Sequence, residues 1–356
     1  MKLALAGGGT GGHAYPSLAV AEQLRDTAEL VYLGTPEGPE RALAEDAGIP
    51  YRPVRASQIR GRTPWRLMRG SVNFVRGTGD AVRWLKEDRP DAVFVTGGYA
   101  AAPVGRAARK RRIPVLLFLP DVRPGWAVRY LARKVTTVAC SVPDSLTYFP
   151  GTEVVVTGYP VRKQFAEATR EGGIERFGLD PAVRTLLVTG GSQGAHHVNL
   201  VVARSLRRLL DRLQMIHVCG RAEEDWLRRE RERLPAWQQA RYHLLAYTSD
   251  MAWAMAAADL AVTRAGASVL GELPAIGLPA IMIPLDLSDQ RLNANYLAGH
   301  GAALLLEDDQ LERLEDEVVR LLDDDAARQE MAAAMQSLAK PDAARQLAEL
   351  LKELAA

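Results

Sequence analysis

Short apolar runs alternate with longer stretches whose apolar positions fall three and four apart, and the alternation continues along most of the chain. In the first half such runs occur at Leu3–Ala6, Leu30–Leu33, Asp91–Thr96, Pro114–Leu119, Lys134–Cys140 and Glu153–Thr157. In the second half they occur at Arg184–Thr189, Gln214–Cys219, His243–Ala246, Leu260–Thr263, Pro279–Leu285 and Ala302–Leu305. Runs with little polar alternation predict strands buried on both faces, and the helical stretches between them predict crossovers. The expected fold class is therefore α/β, with doubly wound parallel sheets. From Gln310 the pattern is helical, and Lys340-Pro341-Asp342 breaks it before a last helix expected to pack back on the first domain.

The two halves repeat one another. A strand, a glycine turn and a helix are written as Leu3-Ala4-Leu5-Ala6-Gly7-Gly8-Gly9-Thr10-Gly11-Gly12 and again as Thr185-Leu186-Leu187-Val188-Thr189-Gly190-Gly191-Ser192-Gln193-Gly194, with a constant offset of 182. Two similar Rossmann-like domains follow, expected to face one another across a cleft. The boundaries expected are 1–158 for the first domain, 159–338 for the second and 339–356 for the returning helix, with the hinge at Gly158-Tyr159-Pro160. In sheets of this kind ligands sit beyond the carboxyl ends of the strands, so residues just past the apolar runs carry the functional expectations.

Length and composition fit this organisation. A chain of 356 residues with 47% hydrophobic and 25% charged residues suits two globular domains and excludes disordered or fibrous classes. Lys2 alone precedes a short apolar run that stops at Gly7, which is neither a signal peptide nor a spanning helix. Cys140 and Cys219 both lie in strand-like runs and are expected to be buried thiols. The net charge of +2 hides a basic segment, since residues 51–90 carry ten Lys or Arg against three Asp or Glu. No nucleic-acid motif accompanies it, so an anionic membrane surface is the expected partner rather than nucleic acid. Within that segment Trp65, Arg66, Leu67, Met68 and Arg69 interleave apolar and cationic groups, as insertion among lipid headgroups requires. A helix packed on the sheet with a solvated basic face is the competing account.

Gly7-x-Gly9-x-x-Gly12 lets backbone amides at a helix N-terminus approach an anion. The carboxylate of the dinucleotide fingerprint is missing from Tyr32-Leu33-Gly34-Thr35, and no Lys-Ser or Lys-Thr follows the loop. His13 follows the glycines directly, where the helix dipole favours a neutral imidazole able to accept a proton. His196 and His197 flank the second loop without a third metal ligand at suitable spacing. Arg264-Ala265-Gly266-Ala267-Ser268, with Glu272 one turn later, suits a diphosphate met by amides and a ribose met by a carboxylate, although Glu272 equally serves as a helix-dipole partner. Asp323-Asp324-Asp325 is assigned to N-capping. No metal and no cofactor are expected.

These positions together resemble the MurG-type GT-B glycosyltransferases of family 28. The resemblance is carried by Gly7–His13 with Pro16, Ser57-x-x-Arg60-Gly61, Gly97-Gly98-Tyr99, Pro160-Val161-Arg162, Gly190–Ala195, Asp250-Met251, Arg264–Ala267 with Glu272, and Gln290-x-x-Asn293-Ala294, in order along the chain. It implies inverting transfer of N-acetylglucosamine from UDP-N-acetylglucosamine to a polyprenyl-pyrophosphate-linked acceptor, lipid I, giving lipid II at the cytoplasmic membrane face by a peripheral, metal-independent enzyme. It further implies that Arg162, Gly191, Ser192, Gln193 and the amides near Ala267 hold the UDP diphosphate, Glu272 the ribose, Tyr247 and Met251 the uracil, and Gln290 and Asn293 the sugar hydroxyls. Thr10, Gly11, Gly12, His13 and Tyr99 would receive the acceptor.

The chain departs from the family where His-Glu-Gln-Asn usually follows the strand ending near Leu117. Here the residues are Phe118-Leu119-Pro120-Asp121, and Tyr159 and Ser288-Asp289 replace the usual Asn and Asp-His. Asp121 thereby becomes a rival to His13 as the base. A related transferase with another acceptor, and a UDP-N-acetylglucosamine 2-epimerase on the same architecture, stay open beside the first reading.

Overall fold

The computed structural model describes residues 1–8, 11–56, 64–190, 195–285 and 289–356, and for 11, 64–69 and 71 the backbone alone. The chain divides into two compact units, Met1–Lys163 with Lys340–Ala356, and Gln164–Ala339.

The first unit is built on β1 (Lys2–Gly8), β2 (Glu29–Gly34), β3 (Tyr51–Pro53), β4 (Ala92–Gly97), β5 (Val115–Leu119), β6 (Thr137–Cys140) and β7 (Val154–Val156). They form one parallel sheet in the order β3-β2-β1-β4-β5-β6-β7. The central strands are wholly buried, as the continuous apolar runs demand. β3 alone lacks an apolar run, since Tyr51-Arg52-Pro53 joins the sheet edge through three residues on β2. Helices α1 (Gly11–Leu24), α2 (Pro39–Asp46), α3 (Pro64–Asp88), α4 (Gly98–Lys110) and α5 (Trp126–Ala132) belong to this unit. The last helix, Ala343–Ala355, also lies here and buries Leu347 and Leu351 against α1, β4 and β5. Among the described residues no helix is long and apolar enough to cross a membrane.

The second unit repeats the design with β8 (Thr185–Thr189), β9 (Gln214–Val218), β10 (Tyr242–Leu245), β11 (Leu260–Thr263), β12 (Ala280–Met282) and β13 (Ala303–Leu305), ordered β10-β9-β8-β11-β12-β13. In both sheets the strand order reverses between the first strand and its neighbour, β1 beside β4 and β8 beside β11. Two Rossmann-like sheets therefore each offer a switch point at the strand ends that carry the glycine loops.

The two cysteines are buried and reduced, and burial pushes both thiols up to about 11. Asp324 caps the helix Asp325–Ser337 by accepting from the Ala327 amide at 3.0 Å.

His217 on β9 is fully buried. Asn199 donates its amide to the Cys219 carbonyl at 3.0 Å, so its Oδ1 faces His217 and accepts from Nε2 at 3.0 Å. Nδ1 then accepts from the Tyr242 hydroxyl at 2.8 Å, and the ring is neutral. Burial lowers its pKa to about 3. Because the unfolded imidazole takes its proton near its ordinary value of about 6.5, the unfolded state gains protons first as pH falls. Stability is therefore unaffected by this group above about pH 6.5 and is lost below it, at up to about 1.4 kcal/mol per pH unit. Urea unfolding between about pH 6 and 4 is expected to show a slope about one proton shallower in a His217→Gln variant. An identical slope would show that some other group dominates the acid limb.

Candidate active site

In the first unit the site is assembled from the carboxyl ends of β1 and β4. Gly8, the last residue of β1, forms a parallel bridge with Gly98, which follows β4. Gly98 has φ +75°, and a Cβ there would lie 1.8 Å from the Gly8 carbonyl oxygen. Gly7 is equally confined, since its Cβ would fall 2.0 Å from Thr96 Oγ1. These positions need glycine because two backbones meet there.

His13, half-buried in the first turn of α1, is clamped by Thr96 at the end of β4. Its Nδ1 lies 3.1 Å from the Thr96 carbonyl, and the Thr96 hydroxyl donates to the His13 carbonyl at 2.5 Å. A carbonyl oxygen only accepts, so Nδ1 carries the hydrogen and the tautomer that results leaves the lone pair on Nε2. Gly97, with φ +97°, leaves space beside the ring, where a Cβ would be 3.1 Å from Nδ1. The imidazole is thus oriented as a proton acceptor.

Behind this loop lies a residue that the apolar pattern did not single out. Glu40 in the first turn of α2 is wholly buried and accepts from the Thr35 amide at 2.8 Å and the Thr35 hydroxyl at 2.6 Å. A Cβ on Gly8 would stand 2.1 Å from its Oε1. A carboxylate does follow β2, but from the next helix and facing the back of the glycine turn. The acidic residue beside Pro39 at a helix start was the available signal.

Tyr99 in the first turn of α4 is 37% exposed. Asp121 follows β5 and is half-buried. Phe118 is completely buried and stacks on Phe94. Arg162, also in the first unit, sets its guanidinium over the Tyr15 ring at 4.5 Å. Thr10, Gly191, Ser192 and Gln193 lie outside the described residues, as do the side chains of Trp65, Arg66, Leu67, Met68 and Arg69. Gly11 and Gly12 open α1.

Trp126 and Tyr130, which the sequence pattern does not single out, join Phe74 of the basic segment in an aromatic cluster on the same unit. Trp126 stacks on Tyr130 at 5.4 Å, and Phe74 meets both edge-on at 6.1 and 5.8 Å. Arg106 lies over Phe74 and Lys134 over Tyr130. Trp126, Val72 and Val75 are exposed. Trp84, in contrast, is held between Arg52 and Arg83 and donates to the Pro53 carbonyl, which fastens β3 to α3.

In the second unit the loop after β11 leads into the helix Val269–Ile276. Glu272 sits in its first turn and is about nine-tenths buried, and Ala267 is buried beside it. Asn293 has no exposed surface, and its amide donates to the Ala265 carbonyl at 3.0 Å, so it anchors this loop from beneath. Arg264 is spent inward on the carbonyls of Ile283 and Pro284 and on Asp308. Gln290 begins the next helix and accepts from the Leu285 amide at 3.2 Å. Tyr247 is half exposed beneath the Arg221 guanidinium, and Met251 opens the helix Met251–Ala257. His196 pairs with Glu223 at 2.8 Å.

Residues 3–140 match the family model described as glycosyltransferase family 28 N-terminal domain, and residues 185–347 match that described as glycosyltransferase family 28 C-terminal domain. A UDP-N-acetylglucosamine--N-acetylmuramyl-(pentapeptide) pyrophosphoryl-undecaprenol N-acetylglucosamine transferase of Roseiflexus sp. strain RS-1 is 40% identical, over 98% of this chain and 94% of that protein. The protein of that name from Desulfitobacterium hafniense strain Y51 is 36% identical over 96% of each. The crystal structure of Acinetobacter baumannii MurG superposes with a TM-score of 0.76 at 28% identity, covering 99% of both chains. A Neisseria meningitidis UDP-GlcNAc 2-epimerase structure reaches 0.69 at 15% identity, covering 99% of this chain and 100% of that one, a likeness of fold alone.

Proposed function

The chain belongs to glycosyltransferase family 28, and on that footing we propose that it transfers N-acetylglucosamine from UDP-N-acetylglucosamine to lipid I, N-acetylmuramyl-pentapeptide pyrophosphoryl-undecaprenol, forming lipid II in peptidoglycan synthesis. The observation that carries this reading is the 40% identity to a transferase of that name over 98% of the chain.

The chemistry follows from the residues. An acceptor hydroxyl attacks the anomeric carbon on the face opposite UDP, the bond to the diphosphate oxygen breaks with its electron pair, and configuration inverts. His13 Nε2 takes the hydroxyl proton. Charge gathering on the diphosphate is met by Arg162, by Ser192 and Gln193 in the second glycine loop with Gly191, and by amides near Ala267. Glu272 holds the ribose, Tyr247 and Met251 border the uracil, and Gln290 reads the sugar. Asn293 acts through the loop it anchors. Thr10, Gly11, Gly12 and Tyr99 receive the acceptor pyrophosphate.

A lipid-linked acceptor calls for a surface that meets a membrane. The cluster of Phe74, Trp126 and Tyr130 with Arg106 and Lys134 supports attachment to anionic headgroups at the cytoplasmic face, next to α3 with Trp65, Arg66, Leu67, Met68 and Arg69.

The decisive experiment measures UDP release with UDP-N-acetylglucosamine in the presence and absence of a lipid I analogue, repeated with UDP-glucose. Release that depends on the analogue and on the N-acetyl donor supports the assignment, whereas release or epimerisation without acceptor refutes it. Glu272→Ala is expected to weaken UDP-N-acetylglucosamine binding about 10- to 100-fold in calorimetry, the scale of hydrogen bonds to a charged group. Unchanged affinity would remove Glu272 from the ribose site.

A further inference from the structure

Pro16 lies inside α1 and has no N–H to give the carbonyl four residues earlier, that of Gly12. The Tyr159 hydroxyl, near the end of the Met1–Lys163 segment, donates to this carbonyl at 3.2 Å. Tyr159 is almost wholly buried, and its ring meets the edge of Phe118 at 6.4 Å, which in turn stacks on Phe94 at 6.3 Å. Gly158, with φ +92°, turns the chain just before it, and a Cβ there would strike Lys340. Ring and hydroxyl are therefore both held.

Two departures from the family pattern become one arrangement here. Phe118 replaces a polar residue with the surface on which Tyr159 leans, and Tyr159 reaches the first turn of α1, one peptide before His13. The next carbonyl, that of His13, takes the Thr96 hydroxyl. Two successive carbonyls at the start of α1 are thus fixed from outside the helix, in the peptides on either side of the His13 α-carbon.

We propose that Tyr159 is a positioning residue for His13, supplying to the Gly12 carbonyl the hydrogen bond that Pro16 withholds, with Phe118 as its support. The inference rests on the reading of His13 as the proton acceptor. It predicts that Tyr159→Phe lowers kcat about tenfold, the scale of one neutral hydrogen bond, with KM for UDP-N-acetylglucosamine unchanged.

Two double-mutant cycles test it with lipid I analogue turnover. In a His13→Ala background Tyr159→Phe is expected to cost nothing further, because the group it positions is gone. In a Pro16→Ala background it is also expected to cost nothing, because residue 16 then offers an N–H to Gly12. A wild-type kcat for Tyr159→Phe overturns the proposal, and so does a full loss repeated in either background. If His13→Ala itself turns over normally, the base assignment fails; a Tyr159→Phe loss surviving beside it shows the hydroxyl acting elsewhere.

Discussion

His13→Ala is expected to lower kcat with UDP-N-acetylglucosamine and a lipid I analogue by about 10²- to 10⁴-fold, the range for removing a positioned general base. Donor affinity is expected to stay near wild type, because the His13 ring is held by Thr96, which has no part in the donor assignment. The expectation follows from the tautomer. Thr96 fixes the hydrogen on Nδ1, so the unprotonated nitrogen is the one not held by the backbone. The loss of rate should far exceed any loss of stability, since the ring gives up one hydrogen bond to the Thr96 carbonyl while the Thr96 hydroxyl keeps its bond to the residue 13 carbonyl. Asp121→Asn measured in parallel decides between the two candidate bases. A kcat within threefold of wild type for His13→Ala, with a large loss for Asp121→Asn, would move the role to the carboxylate.

Gly98→Ala is expected to abolish turnover and to destabilise the first unit by about 3 kcal/mol or more. Two effects combine in it. A non-glycine residue at φ +75° costs about 1–2 kcal/mol, and a Cβ 1.8 Å from the Gly8 carbonyl forces the bridged backbones apart. Gly48→Ala separates these effects, since Gly48 has φ +71° but nothing within 4 Å of its Cβ position. It is expected to lose only the conformational part, about 1–2 kcal/mol, and to keep its activity. Equal unfolding midpoints for the two variants would mean that the close approach of β1 and β4 carries no stability of its own.

Why these features differ in legibility is a matter of which forces are local. The central strands were readable because a parallel strand buried on both faces must be apolar throughout, as in Ala92–Gly97 and Val115–Leu119. β3 was not, because three edge residues held partly by Trp84 leave no periodic trace. The first glycine loop was visible for a similar reason, since only glycine tolerates the contact that Gly98 makes with Gly8. Long-range pairings left no mark. Tyr159 and Gly12 stand 147 residues apart, and in sequence the tyrosine reads as a lost amide rather than a hydroxyl with a task. Trp126 and Tyr130 likewise join Phe74 only once α3 and α5 are folded. Asn293 carried the right residue type for sugar recognition, but its depth under the Ala265 carbonyl is a property of packing that composition does not display.

The first unit is discontinuous in sequence, beginning at Met1 and completed only by Lys340–Ala356, while Gln164–Ala339 is continuous. On a ribosome that delivers the chain from its N-terminus, this inverts the usual order in which domains mature. The half made first must wait, with the surfaces of α1, β4 and β5 that will take Leu347 and Leu351 still wet, until those two residues leave the exit tunnel. The half made second, Gln164–Ala339, is delivered in one piece before the last helix emerges. Without the Ala343–Ala355 helix, apolar surface of α1, the helix that carries His13, stays uncovered, so the segment made last is packed against the one that holds the histidine.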